Sequence, residues 1–415
     1  MVSTRDSEVL ERPSHIDPRH IVDYDIFDDP RFRTAGDPHA ALRQLGGEAG
    51  YGIYWTPRNG GHWFINDYEL IFQAARAPEL FSSKAMTVPP MPAELEPRLI
   101  PLSLDPPEHA AYRLPLMRAF SPDRVKAMEP AIRTFTVQLI QAISDQGRCD
   151  FVHTIAEPLP IIIFMRLMGM DISRLGEFRG WIGDMMAPDE APRARSYENI
   201  RQMMGELIEA RQSKREGDLI SHLLDSDIGG RPVTLEEMHG YCLLLFAAGL
   251  DTVANAMAFG MRHLAGDPAL RNQLRATPAL IPEAIEEFLR KFGVPTPPRT
   301  VSHDAEFGGV RLKAGERVVL LLPACNFDPK VFPEPEHFAL GRENKLHLTF
   351  NSGPHRCVGS HLARLELKIL YEEWLKRMPN VRLDPAAAPQ YRLGLTLACV
   401  KLPLVWNPAD VQRIH

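Results

Sequence analysis

The sequence predicts an α+β fold, mainly α with smaller β regions, gathered in a single domain. Three observations carry this reading. Helical periodicity dominates from His109 to about Phe292. Strand signals lie before and after that stretch and do not alternate with it, which disfavours a doubly wound parallel sheet. One apolar helix, Leu235 to about Ala265, is roughly 30 residues, or ~45 Å at 1.5 Å per residue, a length few domains hold unless it runs through the centre.

Taken in order, residues 1–40 read as an irregular, proline-punctuated lead-in, and residues 41–415 as the domain. "YGIYWTPRNGGHWFIN" alternates apolar positions on either side of Asn59-Gly60-Gly61 and predicts a hairpin. "MEPAIRTFTVQLIQAI", "LEEMHGYCLLLFAAGLDTVANAMAFGMRHLA" and "IPEAIEEFLRKF" are the clearest helices. Strands return in "AEFGGVRLKAGERVVLLLP" and close the chain in "YRLGLTLACVKLPLVW". Inside the long helix, Ala248 and Gly249 remove bulk, and Asp251 and Thr252 then place two polar groups in an apolar stretch. A mid-helix threonine can bond to the carbonyl one turn back and bend the helix, while small neighbours let something large approach its backbone.

Composition narrows the function classes. Of 415 residues, 45% are hydrophobic and 24% charged, an ordinary globular balance. The net charge of -6 argues against a general nucleic-acid binder. No apolar run approaches the ~20 residues of a bilayer span, the best being Leu159 to Met165 before Arg166, and the N-terminus is polar, unlike a signal peptide. Cys149, Cys242, Cys325, Cys357 and Cys399 are scattered and never form a CxxC pair. That argues against a disulfide framework or thiolate zinc site and fits a reducing, cytoplasmic setting.

Cys357 stands out in "FNSGPHRCVGSHLARLELKIL", between a glycine- and proline-broken loop and a helix. A buried cysteine is often a packed structural thiol. Here the amides of the following helix start and the nearby Arg356 and His355 favour a thiolate, hence a nucleophile or a metal ligand. A single axial thiolate on a haem iron needs no further protein ligand set.

Phe350, Gly353, His355, Cys357 and Gly359 resemble the cysteine-loop signature of the cytochrome P-450 family of haem-thiolate monooxygenases, with Asn351 a minor departure. Other motifs follow in the family's order. Ala248-Gly249-Leu250-Asp251-Thr252 resembles the oxygen-activating kink, and Glu287-Phe288-Leu289-Arg290 the ExxR pair. Pro335-Glu336-His337-Phe338 resembles the loop that completes that pair, and His109-Ala110-Ala111-Tyr112-Arg113 the HxxxR turn. "GGHW", "LDPPE", "AEPLPIIIFM" and "LPLVW" bring the resemblance nearest to the bacterial camphor-hydroxylase group.

The resemblance implies the P-450 fold, with the long central helix over haem b. Cys357 would ligate iron, with Phe350 and Gly359 shaping its loop. His109, Arg113, Arg299 and His355 would hold the propionates. Glu287, Arg290 and His337 would form a buried structural network. Asp251 and Thr252 would be catalytic, Thr252 orienting water and Asp251 relaying protons. In the camphor group, basic side chains hold this aspartate; one such position is Ala187 here, while Arg179 could preserve the other.

The same resemblance lines an apolar pocket with Met86, Thr87, Leu244, Ala247, Ala248, Val294, Leu395 and Thr396. The camphor group's ketone-binding tyrosine has no match, Pro97 standing near its position. A small apolar terpenoid or norisoprenoid of ionone type is therefore expected, with a bicyclic monoterpenoid of camphor or cineole type as the alternative. A haem-thiolate sensor or ligand carrier would need no acid–threonine pair. Electrons would come from a [2Fe–2S] ferredoxin and an NAD(P)H-dependent ferredoxin reductase, docking on basic residues such as Arg118, Lys345, Arg356 and Arg364.

Overall fold

The computed structural model describes residues 10–412 except 93, 95, 97 and 186–189. Ala187 and Pro97, two positions singled out from the sequence, lie outside the described residues. Helices dominate the middle of the chain and short strands flank them.

The central helix is two helices end to end, Leu235–Gly249 and Asp251–Gly266. It starts where Thr234 and Glu237 exchange side-chain-to-backbone hydrogen bonds, a capping box that satisfies two otherwise unpaired amides. It breaks at Leu250, within the stretch where small and polar residues predicted a bend. By length and composition the 32-residue span Leu235–Gly266 could cross a membrane, which corrects the statement that no apolar run is long enough. Of its most apolar window, 61% is buried inside the protein. Its second half lies in a large apolar cluster with Phe288, Tyr371 and Trp374, and its first half in another with Tyr112, Phe164 and Ile100.

The main sheet has five strands: Ile53–Thr56, His62–Ile65, Arg317–Leu320, Pro298–Val301 and Phe81–Ser82, in that spatial order. The predicted hairpin forms its first two strands, turning at Asn59, Gly60 and Gly61, all with positive φ. Strand His62–Ile65 runs parallel to Arg317–Leu320; the other pairings are antiparallel. Near the C-terminus, Gln390–Arg392 pairs with Ala398–Lys401, and Pro403–Val405 pairs with Arg148–Asp150.

The N-terminal segment differs from its sequence reading. Pro18–His20, Pro30–Ala35 and Pro38–Ala49 are helical, and Ile16, Tyr24 and Ile26 are buried. Each helix opens with proline just after an aspartate, Asp17, Asp29 or Asp37, whose carboxylate accepts a backbone amide of the first turn. These prolines start helices: the missing N–H falls where none is needed and the fixed φ suits the first turn.

Helix Ile281–Lys291 anchors the loop before Cys357. Its buried Glu287 accepts from Arg290 Nε at 2.7 Å and Nη2 at 2.8 Å, from Arg342 Nε at 3.1 Å, and from the Ala339 amide at 3.1 Å. Arg290 also donates to the Asn326 carbonyl. The Asn326 side chain in turn bonds the Thr349 hydroxyl and the Leu348 amide, and Thr349 donates to the Leu289 carbonyl. The third predicted member is placed differently: the His337 imidazole is exposed, and its carbonyl accepts from Arg342 and Arg290. Arg342, not singled out from the sequence, supplies the third side chain, which is mostly covered.

Removing one partner of such a pair leaves an uncompensated buried charge, at a cost of about 3–5 kcal/mol. Glu287→Ala is expected to lower unfolding free energy by ~3 kcal/mol or more in urea titrations.

Candidate active site

Gly353 lets the cysteine loop close on its neighbours. Its φ is +66°, and a Cβ there would stand 2.3 Å from the Ala75 carbonyl oxygen, so only glycine fits. Asn351, at φ 58°, takes the left-handed conformation that asparagine tolerates and accepts the Ser352 amide. The Cys357 amide donates to the Phe350 carbonyl at 2.8 Å. Arg364, from helix Ser360–Arg377, lies 4.5 Å from the Phe350 ring centroid and donates twice to Glu286, which also faces His347. Glu286 and Glu287, adjacent on one helix, thus hold the cysteine helix and the cysteine loop respectively.

Burial pushes the Cys357 thiol up, against the opposing pull of the Gly359 amide and the charges of Arg113, Arg364 and Arg356. In the chain alone, burial opposes the thiolate that the helix-mouth amide and the nearby arginines favour; a cation bound to the sulfur would offset that cost. The residue nevertheless has exposed surface. Among the described residues no group of three or more His, Cys, Asp or Glu converges. A metal here would rely on one thiol and on ligands that come with it.

Space opens beside that sulfur. Val358 packs against the apolar cluster that contains Leu244, Phe246 and Leu250 of the central helix. On that helix Ala247, Ala248 and Gly249 are exposed although Phe246 and Leu250 on either side are buried. A Cβ built on Gly249 meets nothing within 4 Å, and one on Gly359 meets only the Cys357 sulfur, at 3.9 Å.

Four donors gather beside this space with no carboxylate bonded to them. The His109 and His355 rings lie 4.4 Å apart, and His109 Nε2 and both His355 nitrogens are buried without a partner. Arg299, 2% exposed, donates only to the Pro298 carbonyl among its described bonds, and Arg113 reaches the Arg356 carbonyl. Burial, then the charges of Arg299, His109 and Arg113, pushes His355 down to about 2; burial and Arg113 push His109 down to about 4. Burial also lowers Arg299, with Asp105 pulling the other way. Asp105, absent from the sequence reading, accepts from Ser82 Oγ and the Ser83 amide and belongs to the "LDPPE" stretch. Orphaned buried donors on a positive cluster call for an anionic ligand. A flat group carrying two carboxylates and a metal fits the donors, the glycine-opened space and the lone thiol together.

Across the helix break, the Thr252 hydroxyl donates to the Ala248 carbonyl at 3.1 Å. Its oxygen keeps lone pairs free to accept a proton-bearing group. Asp251 Oδ1 accepts from Asn255 at 3.0 Å, and Asn255 accepts the Cys399 amide at 2.8 Å, tying the acid to the C-terminal hairpin. Burial raises the Asp251 carboxyl above its ordinary range, against the pull of Arg392 and the Asn255 bond. Arg179 is engaged elsewhere: it donates to the His153 carbonyl at 2.8 Å and lies 3.6 Å from Glu157.

The remaining predicted pocket residues fall into three groups. Leu244, Ala247 and Ala248 share the central helix. Val294 accepts the Leu397 amide, Leu395 accepts the Thr296 amide, and Pro295 bridges Thr396, which brings Val294, Leu395 and Thr396 together. Met86 and Thr87, half-buried, sit on an irregular segment bonded to Glu96.

Comparison with known proteins decides the family. The family described as Cytochrome P450 matches residues 279–389. A protein named "Probable cytochrome P450 127A1", from Sinorhizobium fredii, is 32% identical over 95% of this chain and 96% of its own. The chain belongs to the cytochrome P450 family. A steroid C26-monooxygenase of Mycobacterium tuberculosis is also 32% identical to this P450, over 82% of this chain and 94% of that protein. The crystal structures of CYP101J2 and CYP101C1 match with TM-score 0.88, at 35% and 33% identity; each match covers 96% of this chain and all of the other. This P450 is a monooxygenase that binds haem b and uses dioxygen and a redox partner.

If Arg299 holds a haem carboxylate, Arg299→Gln would remove one charge-assisted contact, worth about 1.5–3 kcal/mol. Haem transfer from that P450 variant to excess apomyoglobin is expected to be ~10-fold or more faster than from the parent.

Proposed function

We propose that this P450 hydroxylates a small apolar terpenoid or norisoprenoid of ionone type, in the cytoplasm, with electrons from a [2Fe–2S] ferredoxin and its NAD(P)H-dependent reductase. The observation that carries the substrate reading is the exposed Ala247-Ala248-Gly249 notch in an otherwise buried helix. It provides room and an apolar face without a charge. Leu244, Val294 and Leu395 would extend that face, and Thr396 would add one hydroxyl. Shape and apolar contact would then hold the substrate, with few polar anchors.

When bound, the haem supplies dioxygen activation and oxidation of a C–H bond. Cys357 would provide the axial sulfur, while Arg113, Arg299, His355 and His109 would hold the carboxylates. Thr252 Oγ1 would accept and orient a water, its own proton directed to the Ala248 carbonyl. Asp251 would pass protons inward from the side of Arg392 and Asn255. Its raised affinity for a proton suits that role.

Arg118 and Arg356 are exposed and suit an acidic partner, and Lys345 keeps only a surface pair with Glu283. Arg364 is bonded to Glu286 and Phe350 instead, so its charge serves the cysteine loop more than docking.

With ferredoxin and reductase supplied, Thr252→Ala is expected to send most electrons to hydrogen peroxide, and Asp251→Asn to slow turnover by ~100-fold. Unchanged coupling and rate would remove both roles. The substrate class is tested by haem spin-state titrations across ionones, bicyclic monoterpenoids and steroids. Ionones are expected to bind most tightly; a steroid preferred by tenfold would overturn the reading.

A further inference from the structure

A buried charge pair joins two segments that are distant in sequence. Glu96 and Arg317 lie 3.0 Å apart, each side chain 7% exposed, although 221 residues separate them in sequence. A buried ion pair is a weak source of stability, because apolar residues of similar volume are often as good or better. Its value lies in fixing geometry, and what this pair fixes is specific.

We infer that Glu96 and Arg317 are positioning residues for the substrate. They clamp segment Ala85–Thr87 to the main sheet and so set the shape and hydrogen-bonding character of one wall of the pocket. Residues 85–87 belong to no helix or strand, so their backbone groups need partners from elsewhere. The pair and its neighbours supply them. Glu96 accepts from the Met86 amide at 3.2 Å and the Thr87 amide at 3.4 Å. Arg317 Nε donates to the Thr87 carbonyl at 3.1 Å. The Thr300 hydroxyl donates to the Ala85 carbonyl at 2.7 Å and accepts from Arg317 Nη1 at 2.5 Å. Thr300 and Arg317 are direct cross-strand neighbours, and Arg299 precedes Thr300 on the same strand. The clamp is therefore built on the strand that carries Arg299, a buried donor of the proposed haem site. Further along, the Ile100 amide bonds the Gly240 carbonyl of the central helix at 3.3 Å. Residues 85–87 are thus tied to the sheet through Glu96, Arg317 and Thr300, and Ile100 is tied to the central helix.

The clamp also decides what Thr87 offers a ligand. Its single hydroxyl proton goes to Glu96 at 2.6 Å. Thr87 then presents lone pairs only, so a substrate ketone finds no donor there, whereas an apolar face or a hydroxyl is tolerated. The positioning role does not depend on the ionone reading; it requires only that residues 86 and 87 border the substrate.

The test uses the haem-loaded protein and two variants, Glu96→Gln and the double variant Glu96→Leu/Arg317→Met, which replaces the pair by apolar groups. Hydrogen–deuterium exchange of the Met86 and Thr87 amides is measured, together with spin-state titration by pinane, a rigid bicyclic hydrocarbon without hydrogen-bonding atoms. Both variants are expected to exchange these amides ~10-fold faster or more, with strand His62–Ile65 unchanged, and to bind pinane ~10-fold more weakly. Exchange unchanged in the double variant overturns the clamp. Parental pinane affinity in the double variant overturns the positioning role, since the pair would then serve stability alone. If Glu96→Gln does not fold, the double variant decides alone.

Discussion

A single buried carboxylate, Glu287, organises the half of the molecule that presents the thiol. Two arginines and a backbone amide converge on it, so its charge is balanced where water is absent. Through Arg290 and Asn326 the same network reaches Leu348 and Thr349, one residue before Phe350. Glu286, one residue earlier, holds the helix that follows Cys357 through Arg364. One short helix therefore sets both ends of the loop on which the sulfur is carried. The close approach of Gly353 to Ala75 then leaves little freedom for that loop to be elsewhere.

Against that fixed sulfur the opposite wall is made by subtraction. Ala247, Ala248 and Gly249 leave space where a core helix would ordinarily be filled, and just past the break at Leu250 the Thr252 hydroxyl bonds back to the Ala248 carbonyl. The electrostatics on the two sides differ in kind. Around His109, His355, Arg113 and Arg299 there is unmatched donor capacity and positive charge, a site shaped for an anion. Around Asp251 there is a lightly supported acid whose burial favours keeping its proton. Binding an anionic cofactor relieves the first; the second remains as a proton-handling group.

Much of this was legible in the sequence because the motifs are local. The cysteine loop, the Glu287–Arg290 spacing and the Ala248–Thr252 stretch each lie within a few residues, and periodicity identified the helices that carry them. What escaped was of two sorts. Some contacts join distant segments through groups with no local signature: Arg342 to Glu287, Glu286 to Arg364, Asp105 to Ser82, Glu96 to Arg317. Others turned on competition between effects that sequence names but does not weigh. Prolines after Asp17, Asp29 and Asp37 start helices because the aspartates cap them. Arg179 faces Glu157, so Arg392 is the cation that acts on Asp251. At Cys357, desolvation outweighs the helix-mouth amide and the nearby arginines.

The account turns on sulfur of residue 357 binding haem iron, and the carbon monoxide difference spectrum of the dithionite-reduced protein reads that bond most directly. The parent protein should show a Soret band displaced far to the red of imidazole-ligated haem, and Cys357→His should move it to the imidazole position while haem stays bound. A parent without the displaced band, or a Cys357→His protein that keeps it, would contradict the account.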